Sequence, residues 1–214
     1  MPQLRGDKEM RKWAGPLIIS AVTLAMIIIS YLFWDIPLAR YCRGLSTDIT
    51  DVAQIITVWG EAKWYFAVFI VLAIFFQFIL KNRLWFRRSL FIIASLSASG
   101  LISSLIKWVA GRHRPVDLFH PGLSGFGFFG VGYEVTSFPS GHSVTAFVLA
   151  TALSIFFPRC GIAAFIVALA IAASRVILTS HYLSDTMGGA ALGIIVALAV
   201  KHYFDWKKLR LENN

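Results

Sequence analysis

Six stretches of this 214-residue chain stay apolar long enough to cross, or nearly cross, a lipid bilayer: residues 17–34, 64–80, 90–110, 143–157, 161–179 and 186–204. A helix needs about 20 apolar residues to span the hydrocarbon core. Inside that core every backbone N–H and C=O must be satisfied by a helix or a closed barrel. The runs are continuous and lack the alternation of barrel strands, so they predict helices. The fourth is short and stops at Pro158; it reaches a spanning length if 139–142 form its first turn. Only 14% of the residues are charged, against about 25% in a soluble domain. The expected fold is all-α, an integral membrane bundle of six transmembrane helices. No internal repeat or low-complexity tract divides it, so residues 1–214 read as a single domain.

A net charge of +9 would suggest a nucleic-acid partner in a soluble protein. Here the basic residues flank the spans, so the partner they imply is the lipid bilayer and not nucleic acid. Arg5, Lys8, Arg11 and Lys12 precede the first span, and Lys81, Arg83, Arg87 and Arg88 separate the second from the third. Arg159 follows the fourth; Lys201, Lys207, Lys208 and Arg210 close the chain. These are thirteen of the 20 Lys and Arg residues, all on one side, which the positive-inside rule makes cytoplasmic. Segments 35–63, 111–142 and 180–185 then face outward. In the first of them Asp35, Asp48, Asp51 and Glu61 balance the bases, and 38–60 is a candidate interfacial helix of mixed periodicity. The polar stretch 1–13 precedes an apolar segment long enough to span, with no A-x-A site close behind. It reads as leading into a retained first helix rather than a cleaved signal peptide. Cys42 and Cys160 lack the spacing of a zinc or redox pair and fall on opposite sides, so both read as structural.

Ionisable residues collect at the outward span ends. Lys107 lies near the end of the third span, followed by Arg112, His113 and Arg114. Pro139-Ser140-Gly141-His142 opens the fourth, Ser174-Arg175 lies near the end of the fifth, and His181 and Asp185 open the sixth. Each alone reads as a snorkelling cation or an ordinary interface histidine. Gathered at one end of one bundle they point to function, because charge at membrane depth is costly. Lys107, Arg114 and Arg175 form an anion site, in which the Arg forks match phosphate oxygens and Lys adds a point charge. Ser140 stands at an N-cap position and Gly141 admits a ligand close to the backbone. The first N–H groups of the fourth helix then point at the anion. His181 and Asp185 are four apart and share a helix face. A carboxylate on one imidazole nitrogen fixes the tautomer and frees the other as nucleophile or base. His142 is the second imidazole; one neutral and one protonated histidine supply a nucleophile and a general acid. A structural hydrogen bond is the alternative for the His181–Asp185 pair. A metal site is the other rival, discounted because Asp185 is the only obvious carboxylate near the cluster.

Together these groups resemble the signature of the type 2 phosphatidic acid phosphatase superfamily, which reads K-x6-RP, PSGH and SR-x5-H-x3-D. Here the segments are Lys107-WVAGRH-Arg114-Pro115, Pro139-Ser140-Gly141-His142 and Ser174-Arg175-VILTS-His181-YLS-Asp185. Every position matches, in order and at the right spacing, across residues 107–185, and the six-span layout extends the resemblance over nearly the whole chain. The resemblance implies that His181 attacks phosphorus to form a phosphohistidine and that Asp185 orients it. His142 would protonate the leaving lipid oxygen, then activate water. Lys107, Arg114, Ser140, Gly141 and Arg175 would hold the phosphate and stabilise its charge. It further implies a bacterial inner-membrane enzyme with its site facing the periplasm, a membrane lipid phosphate as substrate, no metal or other cofactor and no obligate protein partner.

Soluble acid phosphatases and vanadium haloperoxidases share the motifs but lack six spans. An anion transporter or channel is the non-enzyme alternative; a conduit needs no nucleophile, which argues against it. The family's substrates include phosphatidylglycerophosphate, phosphatidic acid, undecaprenyl diphosphate and the 1-phosphate of lipid A. A glycerolipid or undecaprenyl substrate is preferred to lipid A, and phosphotransfer to an acceptor other than water is a further alternative. Outside the signature, His113 and His120 read as loop residues and Arg112 as a candidate contact to a second phosphate. Five glycines make the segment 121–132 mobile. Its Phe126, Phe128 and Phe129 either dip into the interface or close over a head group, or the segment is a plain flexible connection.

Overall fold

The computed structural model describes residues 3–119 and 122–212; His120 and Pro121 lie outside them. Helix α1 (Gln3–Ile29) passes through a π-helical turn, Ser30–Trp34, into α2 (Asp35–Arg43). Helix α3 (Thr47–Thr57) and a 3-10 turn, Val58–Gly60, lead to α4 (Ala62–Ile74), which ends in a second π-helical turn, Phe75–Ile79. Then come α5 (Arg83–Ala110), the short α6 (Pro115–Phe119), α7 (Gly141–Phe156), α8 (Gly161–Ile177) and α9 (Leu183–Trp206). The described residues contain no strand; the one β-bridge pairs Arg112 with Phe126.

Five of the helical stretches are long and apolar enough to cross a bilayer: Leu17–Arg43, Thr47–Ile79, Arg83–Ala110, Pro158–Ile177 and Leu183–Trp206. The sixth apolar helix, Gly141–Phe156, is shorter; its 16 residues rise about 24 Å. Gly141 and His142 do form its first turn, whereas Pro139 and Ser140 stay outside. The expected outward segment 35–63 is mostly helical, because α2 continues the first span through the π-helical turn and α3 with its 3-10 turn leads into α4. Hydropathy marks where lipid stops, not where a helix stops.

The helices divide into a core and a shell. In α5 and α9, 39% and 44% of the most apolar window is buried, against 6% in each of the two N-terminal spans. Phe91, Ile92 and Leu96 of α5 pack with Val144, Val148, Ala152 and Phe156 of α7 and with Phe204 of α9. Ala146, Phe147 and Ala150 on the other side of α7 meet Ala168, Ile171 and Ala172 of α8. α9 crosses α7 at contact distance. A Cβ at Gly189 would lie 2.5 Å from the Ser140 carbonyl oxygen, and one at Gly193 2.6 Å from that of Val144. Small residues at such crossings let two backbones touch where lipid offers no hydrophobic drive to association. The shell presents bare aliphatic and aromatic faces, with Leu17, Ile19, Leu32 and Phe33 mostly exposed, as a lipid-facing surface requires.

Arg88 corrects the loop assignment and leaves the count by side unchanged. It is not a loop cation but a buried residue of α5, whose Nε donates to the Leu211 carbonyl at 2.8 Å. Its guanidinium lies 4.9–5.2 Å from the rings of Trp85, Phe156 and Phe157. It ties the C-terminal tail to the bundle.

Candidate active site

The C-terminal ends of α5 and α8 and the N-terminal ends of α7 and α9 lie together at one end of the bundle. The Ser140 N–H donates to the Asp185 carbonyl at 3.0 Å, joining the starts of α7 and α9. The His181 N–H donates to the Arg175 carbonyl at 3.2 Å, closing the turn between α8 and α9.

His181 lies in that turn, two residues before α9, so the pair does not share a helix face as the four-residue spacing suggests. Asp185 instead sits in the first turn of α9 and reaches back: its Oδ2 accepts the Tyr182 N–H at 2.9 Å, one half of a capping box. The same Oδ2 accepts the Ser137 hydroxyl at 2.5 Å and lies 3.6 Å from His181 Nδ1. That last separation is an electrostatic contact rather than a direct hydrogen bond, and Ser137 Oγ bridges it at 3.5 Å from Nδ1. The other ring nitrogen, Nε2, faces Arg114 at 3.3 Å. Burial holds His181 far below the usual histidine range, at about 3. Asp185 pulls upward while Arg114 and Lys107 push further down, and the neutral imidazole results.

Lys107 and Arg114 are held side by side. Lys107 Nζ donates to the Thr136 carbonyl at 2.6 Å, and Arg114 Nη2 approaches the same oxygen at 3.4 Å. Arg114 also donates to the carbonyls of Tyr133 and Ser180 at 2.6 and 2.9 Å, and its guanidinium lies 3.8 Å from the Tyr133 ring centroid. Burial pushes its pKa below the usual arginine value, yet an arginine stays charged. Arg175 donates through Nη1 to Thr57 Oγ1 at 2.7 Å, and its buried Nε has no hydrogen-bond partner among the described residues. Ser140 is the N-cap of α7 by position, but its buried hydroxyl caps nothing and has no hydrogen-bond partner among the described residues. Nothing lies within 4 Å of a Cβ placed on Gly141. His142 is half-buried in the first turn of α7, with no side-chain hydrogen bond among the described residues. It borders, with Lys107 and Gly141, a cavity of about 250 Å³ whose wall includes Ser99 and Ser103 of α5. Arg175, Arg114 and Lys107 all act on it electrostatically. All eight residues singled out in the sequence therefore meet at one end.

Sequence reasoning missed an inner layer. Arg112 reaches no second-phosphate position: it is 2% exposed and forks between two buried carboxylates, Asp35 and Asp185. Asp35, expected on an outward loop, starts α2 and is itself buried. Thr57 and Ser137 are further partners without a motif. The aromatic segment is not loose either. His113 N–H donates to Gly125, and Gly127, Phe128 and Phe129 donate to Gly111, Ala110 and Val109, at 2.9–3.2 Å. Gly111 has φ +54, and a Cβ there would lie 2.7 Å from Phe128 N, so only glycine fits. Phe126 packs one face against Arg112 and Phe138 and stays partly exposed, while Phe128 and Phe129 stay largely exposed. His113 pairs with Asp117 at 2.9 Å.

Residues 88–209 match the PAP2 superfamily. A lipid A 1-phosphatase of Rhizobium etli is 30% identical over 206 residues, covering 90% of this chain and 82% of that protein. One of Rhizobium johnstonii is 30% identical over 185 residues, 80% of this chain and 74% of that protein. The fold is shared with a PAP2-type phosphatidylglycerolphosphate phosphatase from Bacillus subtilis, at a TM-score of 0.66 and 22% identity over 89% of this chain and 96% of the other. It is shared also with Aquifex aeolicus LpxE, at 0.60 and 20% over 79% and 95%. With its signature residues gathered at one end of a helical bundle and more than half its length matched, this chain belongs to the PAP2 superfamily.

Proposed function

We propose that this protein is a single-domain, six-crossing membrane enzyme that hydrolyses a lipid phosphate through a phosphohistidine on His181. The observation that carries the reading is the orientation of that ring, with Nδ1 toward Asp185 and Ser137 and Nε2 facing the Arg114 guanidinium at 3.3 Å. In the first step Nε2 attacks phosphorus, the P–O bond to the lipid breaks, and His142 gives its proton to the leaving oxygen. In the second step His142 takes a proton from water, whose oxygen attacks phosphorus and releases His181. Lys107, Arg114 and Arg175, with the Ser140 hydroxyl and the Gly141 N–H, hold the equatorial oxygens. The steps are metal-independent: Asp185 is committed to Arg112, Ser137 and the Tyr182 N–H. The class of the enzyme, a phosphoric ester hydrolase acting on lipid phosphates, follows from the family and displaces the anion-conduit alternative.

For the substrate, the relatives' name reverses the sequence-based preference and favours the 1-phosphate of lipid A over glycerolipid or undecaprenyl phosphates. Purified protein in detergent should release phosphate from lipid A with a higher kcat/KM than from phosphatidylglycerophosphate, phosphatidic acid or undecaprenyl diphosphate. The opposite ranking sinks the choice of substrate. The basic bias supports a site that faces away from the cytoplasm, and the membrane proposed for it is a bacterial inner membrane. Cysteine at Ser124, with Cys42 and Cys160 changed to Ser, should then react with an impermeant thiol reagent in intact spheroplasts, and labelling only after lysis reverses the orientation.

A further inference from the structure

We infer that Asp35 and Arg112 are positioning residues for phosphoryl transfer, a buried Asp35–Arg112–Asp185 chain that sets the carboxylate facing His181. The inference rests on His181 being the nucleophile. Arg112 Nη2 donates to Asp35 Oδ2 at 2.6 Å, and Nη1 donates to Asp185 Oδ1 and, at 2.7 Å, to Ser184 Oγ. Both ion pairs lie between side chains no more than 2% exposed, so none of the three reaches a ligand directly. Buried charges persist only when paired and hydrogen-bonded, and Asp35 is held on both oxygens. It accepts the Ser184 N–H at 2.9 Å and the Ser184 and Ser30 hydroxyls at 2.5 and 3.3 Å. The rings of Tyr31, Phe126 and Tyr182 surround the guanidinium at 4.6–5.2 Å, which fixes its plane.

The chain divides the oxygens of Asp185. Oδ1 belongs to Arg112, which leaves Oδ2 to face Ser137 and His181 Nδ1. As the P–N bond forms, positive charge grows on the imidazole and Oδ2 stabilises it. Two carboxylates sharing one guanidinium keep that negative charge undiluted. If Asp35 is neutral, the fork turns onto Asp185 alone and draws charge away from His181. Asp35 comes from the α1–α2 junction, outside the 88–209 region that matches the superfamily. The first helix thus takes part in the chemistry of the last.

The test is acid-quench trapping of phosphohistidine from labelled substrate, with steady-state kinetics, on detergent-purified full-length variants. By analogy with groups that orient a metal ligand from behind, loss of such support costs about 10–100-fold. Asp35→Asn should slow trapping and kcat by about tenfold and Arg112→Lys by about a hundredfold, each leaving KM within about twofold. The double variant should be no slower than Arg112→Lys by more than about threefold, as members of one unit are not additive. Wild-type trapping in Asp35→Asn, a change in KM alone, or additive losses overturns the inference. Absence of label on His181 in the wild-type protein instead overturns the reading of function. Should Asp35→Asn elute as aggregate, Ser184→Ala decides. It spares both ion pairs and removes the hydroxyl between them, so slower trapping supports the chain and wild-type trapping overturns it.

Discussion

The two imidazoles at the mouth of the bundle are held in opposite ways. His181 is 3% exposed and enclosed on every side, with Ser137 and Asp185 behind one nitrogen and Arg114 before the other. His142 is half-buried, makes no side-chain hydrogen bond among the described residues, and borders a cavity. A proposed nucleophile must present one nitrogen at one angle to phosphorus, so enclosure suits it. A proposed proton donor must meet first a leaving oxygen and then a water, so an open wall suits it. The asymmetry is architectural. His181 occupies a turn clamped between α8 and α9, whereas His142 projects from the first turn of α7.

The largest expected effect breaks the comparison outright. His181→Ala should leave no acid-stable phosphoenzyme with any substrate and reduce kcat by more than roughly 10⁴-fold, as loss of a nucleophile does. Label that survives in this variant, or label on His142, assigns the roles wrongly. Next, His142→Ala should cost about 10²–10⁴-fold on a lipid substrate, the usual share of general acid–base catalysis. It should cost much less on an aryl phosphate, whose leaving group needs little protonation. Equal losses on both substrates would mean that His142 does something other than donate a proton.

Gly60→Ala sharpens the contrast from the other side. An added Cβ there would lie 2.7 Å from His142 Cδ2 and 2.8 Å from Ile171 Cγ2. The variant should fold, with about 1–3 kcal/mol of overpacking strain, and lose roughly tenfold in kcat on lipid while still trapping phosphate on His181. An unchanged rate would show that the position of His142 tolerates a shift. The smallest effect concerns acid. Unfolded His181 binds a proton near 6.5, the folded residue only near 3. Between those values the unfolded state holds more protons, so this group makes the protein less stable as pH falls from 6.5 toward 3. In detergent, His181→Gln should flatten the fall of Tm between pH 6.5 and 5 by a few degrees. A parallel curve would mean that burial does not keep the ring neutral.

What the sequence revealed follows a physical line. The apolar helices were legible because lipid demands continuous apolar runs, and the shortness of the fourth was flagged by Pro158. The cluster proposed to bind an anion was legible because Lys107, Arg114, Ser140 and Arg175 are charged or polar where the surrounding helices are not. The inner layer was not. Asp35 and Arg112 are 77 positions apart, and Asp35 and Ser184 are 149 apart, and no local period links residues that meet only after the first helix packs on the last. The His181–Asp185 spacing led to the right contact by the wrong geometry: a turn and a capping carboxylate give the proximity that a shared helix face was meant to provide. Segment 122–132 looked mobile because five glycines usually mean freedom. Here Gly111, Gly125 and Gly127 let one backbone lie along another.

The crossing of α9 on α7 at Gly189 and Gly193 acts as a gauge. With the Ser140 carbonyl 2.5 Å from where a Cβ of Gly189 would stand, the spacing between the two helix starts is set by bare backbone and has no slack to adjust. The start of α7, which carries His142, is therefore held at a fixed spacing from the start of α9, just after His181. A side chain at either glycine would have to push the two helices apart, and with them the segments that carry His142 and His181.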